Sequence, residues 1–232
     1  MYILSIDTSN QSLGVAIMKN DIVIGEVITN IAKNHSVRLM PAIDELMKEV
    51  NITPEQLEKI VVAKGPGSYT GVRIGLTTAK TLAWALNIPV VGVSSLEALA
   101  YQGRFSQALV CPFFDARRGL VFTGVYQWKE GKLSLVREET NMLMEDLLQS
   151  FLEQNQEVLF LSPDIDKHAE NIKGKLGDLA IIPENTFQIA NPSHLALAST
   201  NYEADHTHSL TPNYLRLAEA EANWLKSQKE TK

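Results

Sequence analysis

One segment constrains this chain more than any other: Lys64-Gly65-Pro66-Gly67-Ser68-Tyr69-Thr70-Gly71-Val72-Arg73-Ile74-Gly75. It follows the apolar run Ile60-Val61-Val62-Ala63, which has the pattern of a buried strand. It precedes residues 76–86, which read as a helix. The segment is therefore a glycine-rich turn from strand to helix, where backbone N–H groups are exposed. Such a turn serves either as a tight corner or as an anion cradle. A Walker A loop shares the context but ends in Gly-Lys-Ser/Thr. Here Val72 and Arg73 follow Gly71, so the phosphate-gripping lysine is missing.

The elements around this turn read β-β-β-α-β-α-β over the first third of the chain. Strands are expected at 3–7, 13–18 and 22–28, the last alternating apolar and polar residues. A helix is expected over 36–50, with Pro41 in its first turns, and a short one after the Thr53-Pro54 cap. Strands at 60–63 and 90–93 flank the helix after the glycine turn. A second lobe is expected to start near Tyr101-Gln102-Gly103-Arg104. Its strands read at 109–115, 120–126, 133–138, 157–161 and 180–182, with helices over 143–154 and from Asn191-Pro192-Ser193. The pattern gives mixed sheets with flanking helices, an α/β chain.

The 232 residues carry 45% hydrophobic and 21% charged side chains, enough for one large or two small domains. A formal net charge of −6 argues against a chain that holds nucleic acid unaided, because such binding rests on a basic stripe. The single Cys111 excludes an internal disulfide. Its apolar neighbours read as core, which suits a reducing cytosol and a cytoplasmic protein. No apolar run approaches the ~18 residues of a membrane span, and Asp7 and Ser9 interrupt what a signal peptide would need.

Candidate chemistry is sparse. Asp7-Thr8-Ser9 ends the first strand and reads either as a capped turn or as a nucleotide-facing one. Ser68 does not stand in a Gly-x-Ser-x-Gly elbow. His35, His168, His194, His206 and His208 are dispersed, and His206-Thr207-His208 reads as a polar loop. Arg117 and Arg118 read as a charged hairpin or a carboxylate or phosphate contact. Two helices have broad apolar arcs. On the first, Leu39, Ile43, Leu46 and Val50 form a stripe that Met40 and Met47 widen beyond the ~100° of a surface helix. On the second, Val72, Leu76, Ala79 and Ala83 form the core stripe. Gly71, Ile74, Thr78, Thr81 and Ala85 form another face, while Trp84 lies on the polar side with Lys80 and Arg73, where it reads as an interface rim. These extra faces are covered either within the chain or by a partner.

The glycine turn, Ile3-Leu4-Ser5-Ile6-Asp7-Thr8-Ser9, Asn34-His35-Ser36, Asp115-Ala116-Arg117-Arg118-Gly119 and Pro212-Asn213-Tyr214-Leu215-Arg216 together resemble the TsaB (YeaZ) family, in order and over nearly the whole chain. That family assists formation of N6-threonylcarbamoyladenosine in tRNA. The resemblance implies a two-lobed actin/hexokinase/Hsp70-like (ASKHA) fold. Residues 1–100 would form the first lobe, completed by a C-terminal helix over 212–228, and 101–211 the smaller second lobe. It implies no cofactor and no catalytic site. The related transferase TsaD carries His-x-x-x-His, a one-face metal pair, where this chain has Ser95 and Leu99. Asp7, Thr8 and Ser9 would be remnants of a nucleotide site. The resemblance further implies a partner surface at Met40, Met47, Gly71, Ile74, Thr78, Thr81 and Ala85, used for a homodimer and for TsaD. TsaE would be recruited by the complex, and tRNA reached only through it. The rival readings are an ATP-dependent kinase of the same superfamily and a glycoprotease-like peptidase.

Overall fold

The computed structural model describes residues 1–31 and 34–216. Among the described residues, ten strands form two five-stranded mixed sheets. In the first, β1 (Tyr2–Asp7), β2 (Leu13–Lys19), β3 (Ile22–Thr29), β4 (Lys59–Ala63) and β5 (Val90–Val93) lie in the order β3-β2-β1-β4-β5. The hairpins β1–β2 and β2–β3 are antiparallel, and β4 and β5 join parallel to β1. The second sheet holds β6 (Leu109–Asp115), β7 (Leu120–Lys129), β8 (Lys132–Leu143), β9 (Val158–Leu161) and β10 (Ala180–Ile181) in the order β10-β9-β6-β7-β8. Each sheet thus carries a three-stranded meander flanked by two parallel strands, the repeated half expected of the two-lobed fold.

Alternation along each strand sends successive side chains to opposite faces, and three cores result. Leu4, Ile6, Val15, Ile17, Ile60 and Val62 face helices α1 (His35–Glu49) and α2 (Tyr69–Leu86). Ile3, Met18, Val61, Val91 and Val93 face the other way, onto α3 (Ser95–Ala100) and α6 (Pro192–Ala198). The same core includes Val110, Phe114, Tyr126 and Leu161 of the second sheet, so α3 and α6 are packed between the sheets. Cys111, Phe113, Val121 and Phe160 form the third core with α4 (Met144–Gln154) and α5 (Ala169–Leu176).

Three expectations change. The helix after the glycine turn begins at Tyr69, not at residue 76, because Ser68 caps it by accepting from the Gly71 N–H. Gly71 and Gly75, one turn apart, look like helix breakers but are the contact face. A Cβ on Gly71 would lie 2.1 Å from the Thr8 carbonyl oxygen, and one on Gly75 2.6 Å from Thr8 Oγ1. Second, α6 was expected in the second lobe, yet it packs against β1 and β2. Glu26 of β3 receives the Asn191 side chain and the Ser193 N–H, both at 2.9 Å. Third, Pro212–Arg216 are not helical. The rest of the expected C-terminal helix lies outside the described residues.

Gly71→Ala should therefore cost about 1–3 kcal/mol of stability, the range for overpacking a tight contact. Urea unfolding reads this directly. An unchanged midpoint would mean that α2 does not need this close approach.

Candidate functional site

The loop between β4 and α2 lies directly on the turn after β1. The Ser68 N–H donates to the Ser9 carbonyl at 2.6 Å, and Thr8 Oγ1 donates to the Gly71 carbonyl at 2.7 Å. A Cβ on Gly67 would fall 2.2 Å from the Ser9 carbonyl oxygen. Thr8 and Ser9 are buried beneath this loop. Asp7 turns inward, its Oδ1 accepting from the Ser9 N–H (2.8 Å) and hydroxyl (2.7 Å). Burial pushes the Asp7 carboxyl above its ordinary 3.8, against the pull of the two Ser9 bonds. The Thr8 hydroxyl and the Ser9 N–H and hydroxyl are thus engaged within the chain.

Beyond the turn, a cleft of about 900 Å³ opens between the sheets. Asn10, His35, Thr70, Arg117, Asp164 and Arg216 are among its lining residues. Asp115 and Asp164 are already engaged. Asp115 meets His168 at 3.1 Å and Lys167 at 3.4 Å, and Asp164 meets Lys167 at 2.7 Å. Arg117 and Arg118 are exposed in the β6–β7 turn at φ of 66° and 55°, a region in which only glycine and, less often, Asn or Asp are at ease. His35 Nε2 bonds the Asn10 carbonyl, and His194 is half-buried on α6 between the sheets, where partial desolvation lowers its basicity. The His206 and His208 rings lie side by side, with centroids 5.6 Å apart. Among the described residues, no group of three or more His, Cys, Asp or Glu is placed to hold a metal. Ser95 and Leu99 lie fully buried in the core between the sheets. The Cys111 thiol is buried and pushed up to about 12.

A second polar cluster escapes a reading along the chain. Glu139 of β8 accepts from Tyr126 (2.5 Å), from the Ser94 hydroxyl and from the Asn213 amide (3.1 Å). Beside it, Glu97 accepts from Tyr202 at 2.5 Å. Burial, then the charge of Glu139, raises the Glu97 carboxyl. Burial and the neighbouring carboxylates also raise the Tyr126 hydroxyl. These partners stand 13 to 105 residues apart in sequence, and no local spacing brings them to notice.

The expected partner surface divides. Met47 is only 6% exposed and belongs to the core under α1, and Gly71 is buried against Thr8. Neither can meet a partner. Ile74 and Thr78 are half-buried. Met40 (47%), Thr81 and Ala85 are exposed, as are Val37 and Trp84, the last two each at 69%. A helical wheel shows Met47 on the arc beside Met40 but not how deeply the sheet receives it.

The raised Asp7 carboxyl makes a signed prediction. Between 3.8 and its folded value the folded state holds more protons than the unfolded chain. Stability is therefore lost as pH rises through that window. Asp7→Asn keeps an acceptor for Ser9 and has no proton to lose. It should exceed the parent in stability at pH 7, with the difference shrinking towards pH 3. Urea titrations at several pH values measure it. A variant less stable at pH 7 would show that the charged carboxylate is favoured.

The family model of TsaD, the tRNA N6-adenosine threonylcarbamoyltransferase, matches residues 23–224. The tRNA threonylcarbamoyladenosine biosynthesis protein TsaB of Bacillus subtilis (strain 168) is 52% identical over 229 residues, 99% of this chain and 100% of that protein. TsaB of Escherichia coli (strain K12) is 29% identical over 66% of this chain and 67% of its own. YeaZ from Pseudomonas aeruginosa superposes with a TM-score of 0.76 at 25% identity, covering 92% of this chain and 99% of that one. The ethanolamine utilization protein EutJ from Carboxydothermus hydrogenoformans shares the fold, with a TM-score of 0.51 at 12% identity over 85% of this chain and 90% of its own. On its sequence and on its fold together, the chain belongs to the TsaB (YeaZ) family of tRNA threonylcarbamoyladenosine biosynthesis proteins.

Proposed function

We propose that this chain is a non-catalytic, organising subunit in forming N6-threonylcarbamoyladenosine beside the anticodon of tRNA. It holds the TsaD transferase through the outer side of α1 and α2 and helps form the surface that recruits the ATPase TsaE. Alone, it self-associates through the same helices, so homodimer and heterodimer compete for one patch. It works in the cytoplasm and reaches tRNA through the complex.

The observation that carries this reading is the contrast between inside and outside. The Thr8 hydroxyl donates to the Gly71 carbonyl of the loop region, and the Asp7 carboxylate is engaged by the Ser9 N–H and hydroxyl within the turn. Meanwhile Val37, Met40, Ala85 and Trp84 leave apolar surface on the two helices open. Large exposed apolar side chains on adjacent elements mark contact surfaces. Small residues such as Ala85 permit close helix approach, and methionine adapts to varied partners. The formal charge of −6 suits a subunit without its own hold on RNA. Among the described residues no helix is long and apolar enough to cross a membrane.

The open cleft of about 900 Å³ favours a second reading, a nucleotide-using enzyme of the same fold. The two readings separate in cells depleted of the chain and supplied with Met40→Glu or Ala85→Glu. Both positions are exposed, so each variant should fold. Each should weaken self-association and TsaD binding at least tenfold by sedimentation and titration, the effect of burying an unpaired charge in an interface. Each should lower threonylcarbamoyladenosine in digested tRNA, read by mass spectrometry. Full modification with undiminished TsaD binding would contradict the assignment of this surface.

A further inference from the structure

The segment Asn213–Arg216 crosses the cleft and touches both sheets' loops. On the first-lobe side, the Asn213 N–H donates to the Lys64 carbonyl at 2.7 Å. The segment lies flush there, since a Cβ on Gly65 would be 3.1 Å from the Asn213 carbonyl oxygen. Tyr214 stacks on Tyr69 with ring centroids 5.5 Å apart at 23°, and its hydroxyl accepts from Arg73 Nε at 2.6 Å. The Arg73 guanidinium also lies 3.9 Å over the Tyr69 ring. On the second-lobe side, the Asn213 amide donates to Glu139 Oε2 at 3.1 Å, and Arg216 donates to the Ala116 carbonyl at 3.4 Å.

We propose that this segment is a strap that couples Glu139 in the second lobe to the first turn of α2 in the first. Covalent adjacency makes the coupling short. Asn213 joins Lys64 with its backbone and Glu139 with its side chain, so one residue spans the lobes. Tyr214 follows across a single planar peptide, and it grips the two α2 residues Tyr69 and Arg73. A displacement of Glu139 is thus passed through two residues to the start of α2. The grip is reversible, because Tyr69 and Tyr214 are about half exposed, 49% and 45%. The other end is firmly placed: Glu139 Oε1 is held by Tyr126 and Ser94, which leaves Oε2 to the strap. Coupling of this kind is reciprocal, so a ligand or partner that shifts α2 also shifts β8. The proposal stands apart from the identity of any partner.

Amide hydrogen exchange on the full chain tests it. Asn213→Ala removes the link to Glu139 and keeps the backbone bond to Lys64. Glu139→Gln keeps an acceptor for Tyr126 and Ser94 but turns an NH₂ towards the Asn213 amide. Each should speed exchange of the Gly71, Val72 and Arg73 amides about three- to tenfold, the worth of one modest hydrogen bond in local opening. Tyr214→Phe keeps the stack, loses the acceptor for Arg73 and should act in the same place. Exchange in β9 should stay unchanged in all three. Unchanged exchange at the start of α2 in Glu139→Gln would overturn the coupling. An equal rise in β9 would overturn it too, by showing general loosening.

Discussion

The structure depends on a backbone-to-backbone contact that only glycine permits. Gly67 and Gly71 bring the loop after β4 and the first turn of α2 onto the Ser9 and Thr8 carbonyls. This contact is sealed by Ser68 N–H to Ser9 and Thr8 Oγ1 to Gly71. It sets α2 low on the first sheet, with Val72, Leu76, Ala79 and Ala83 in the core shared with α1. The opposite side of α2, with Thr81, Trp84 and Ala85, is left towards solvent. The same contact turns Asp7 and Ser9 towards each other. One packing decision thus closes an inner polar turn and opens an outer apolar face, and both halves of the functional proposal follow from it.

The core between the sheets has a related consequence. Ser95 and Leu99 on α3 are fully buried there among residues of both sheets. In a protein with imidazoles at these positions, the same interior would have to accommodate polar ligands and an ion. Here the interior is packed with apolar side chains, which join the lobes through α3 and α6. Polar ties lie at the margins: Glu26 to Asn191 and Ser193, and Glu139 to Ser94, Tyr126 and Asn213. An interface this apolar resists the domain motions expected of small polar ones.

Much of the architecture is legible along the chain, because strand alternation and helix periodicity are local. Leu109–Asp115 is bounded as read, and the core stripe of α2 is buried. On α1, Leu39, Ile43 and Leu46 are buried as read, while Val50 is half-buried beyond the helix end and Met47 takes its place in the core. What fails is what depends on distant contact. Gly71 and Gly75 carry poor helix propensity, so the pattern delays α2 by two turns, whereas Thr8 across the sheet requires those glycines. Met47 looks like surplus surface until the sheet covers it. The place of α6 follows from Glu26, over 160 residues away. The Glu139 cluster draws on strands, a helix cap and the strap, and no spacing in the sequence joins them. The family motifs also come together in space: Asp7–Ser9 lies under the glycine turn, and that turn, Ala116–Arg117 and Asn213–Arg216 line two adjoining pockets.

The central claim is that the chain's own loop has taken the place that a phosphate would need at the turn after β1, and that the protein acts by contact. Titration calorimetry of the isolated chain with Mg-ATP, paired with amide exchange over residues 7–11, tests it most directly. The account predicts no saturable heat at millimolar nucleotide and no added protection at that turn. Stoichiometric binding with protection of the Thr8, Ser9 and Asn10 amides, accompanied by turnover, would contradict it.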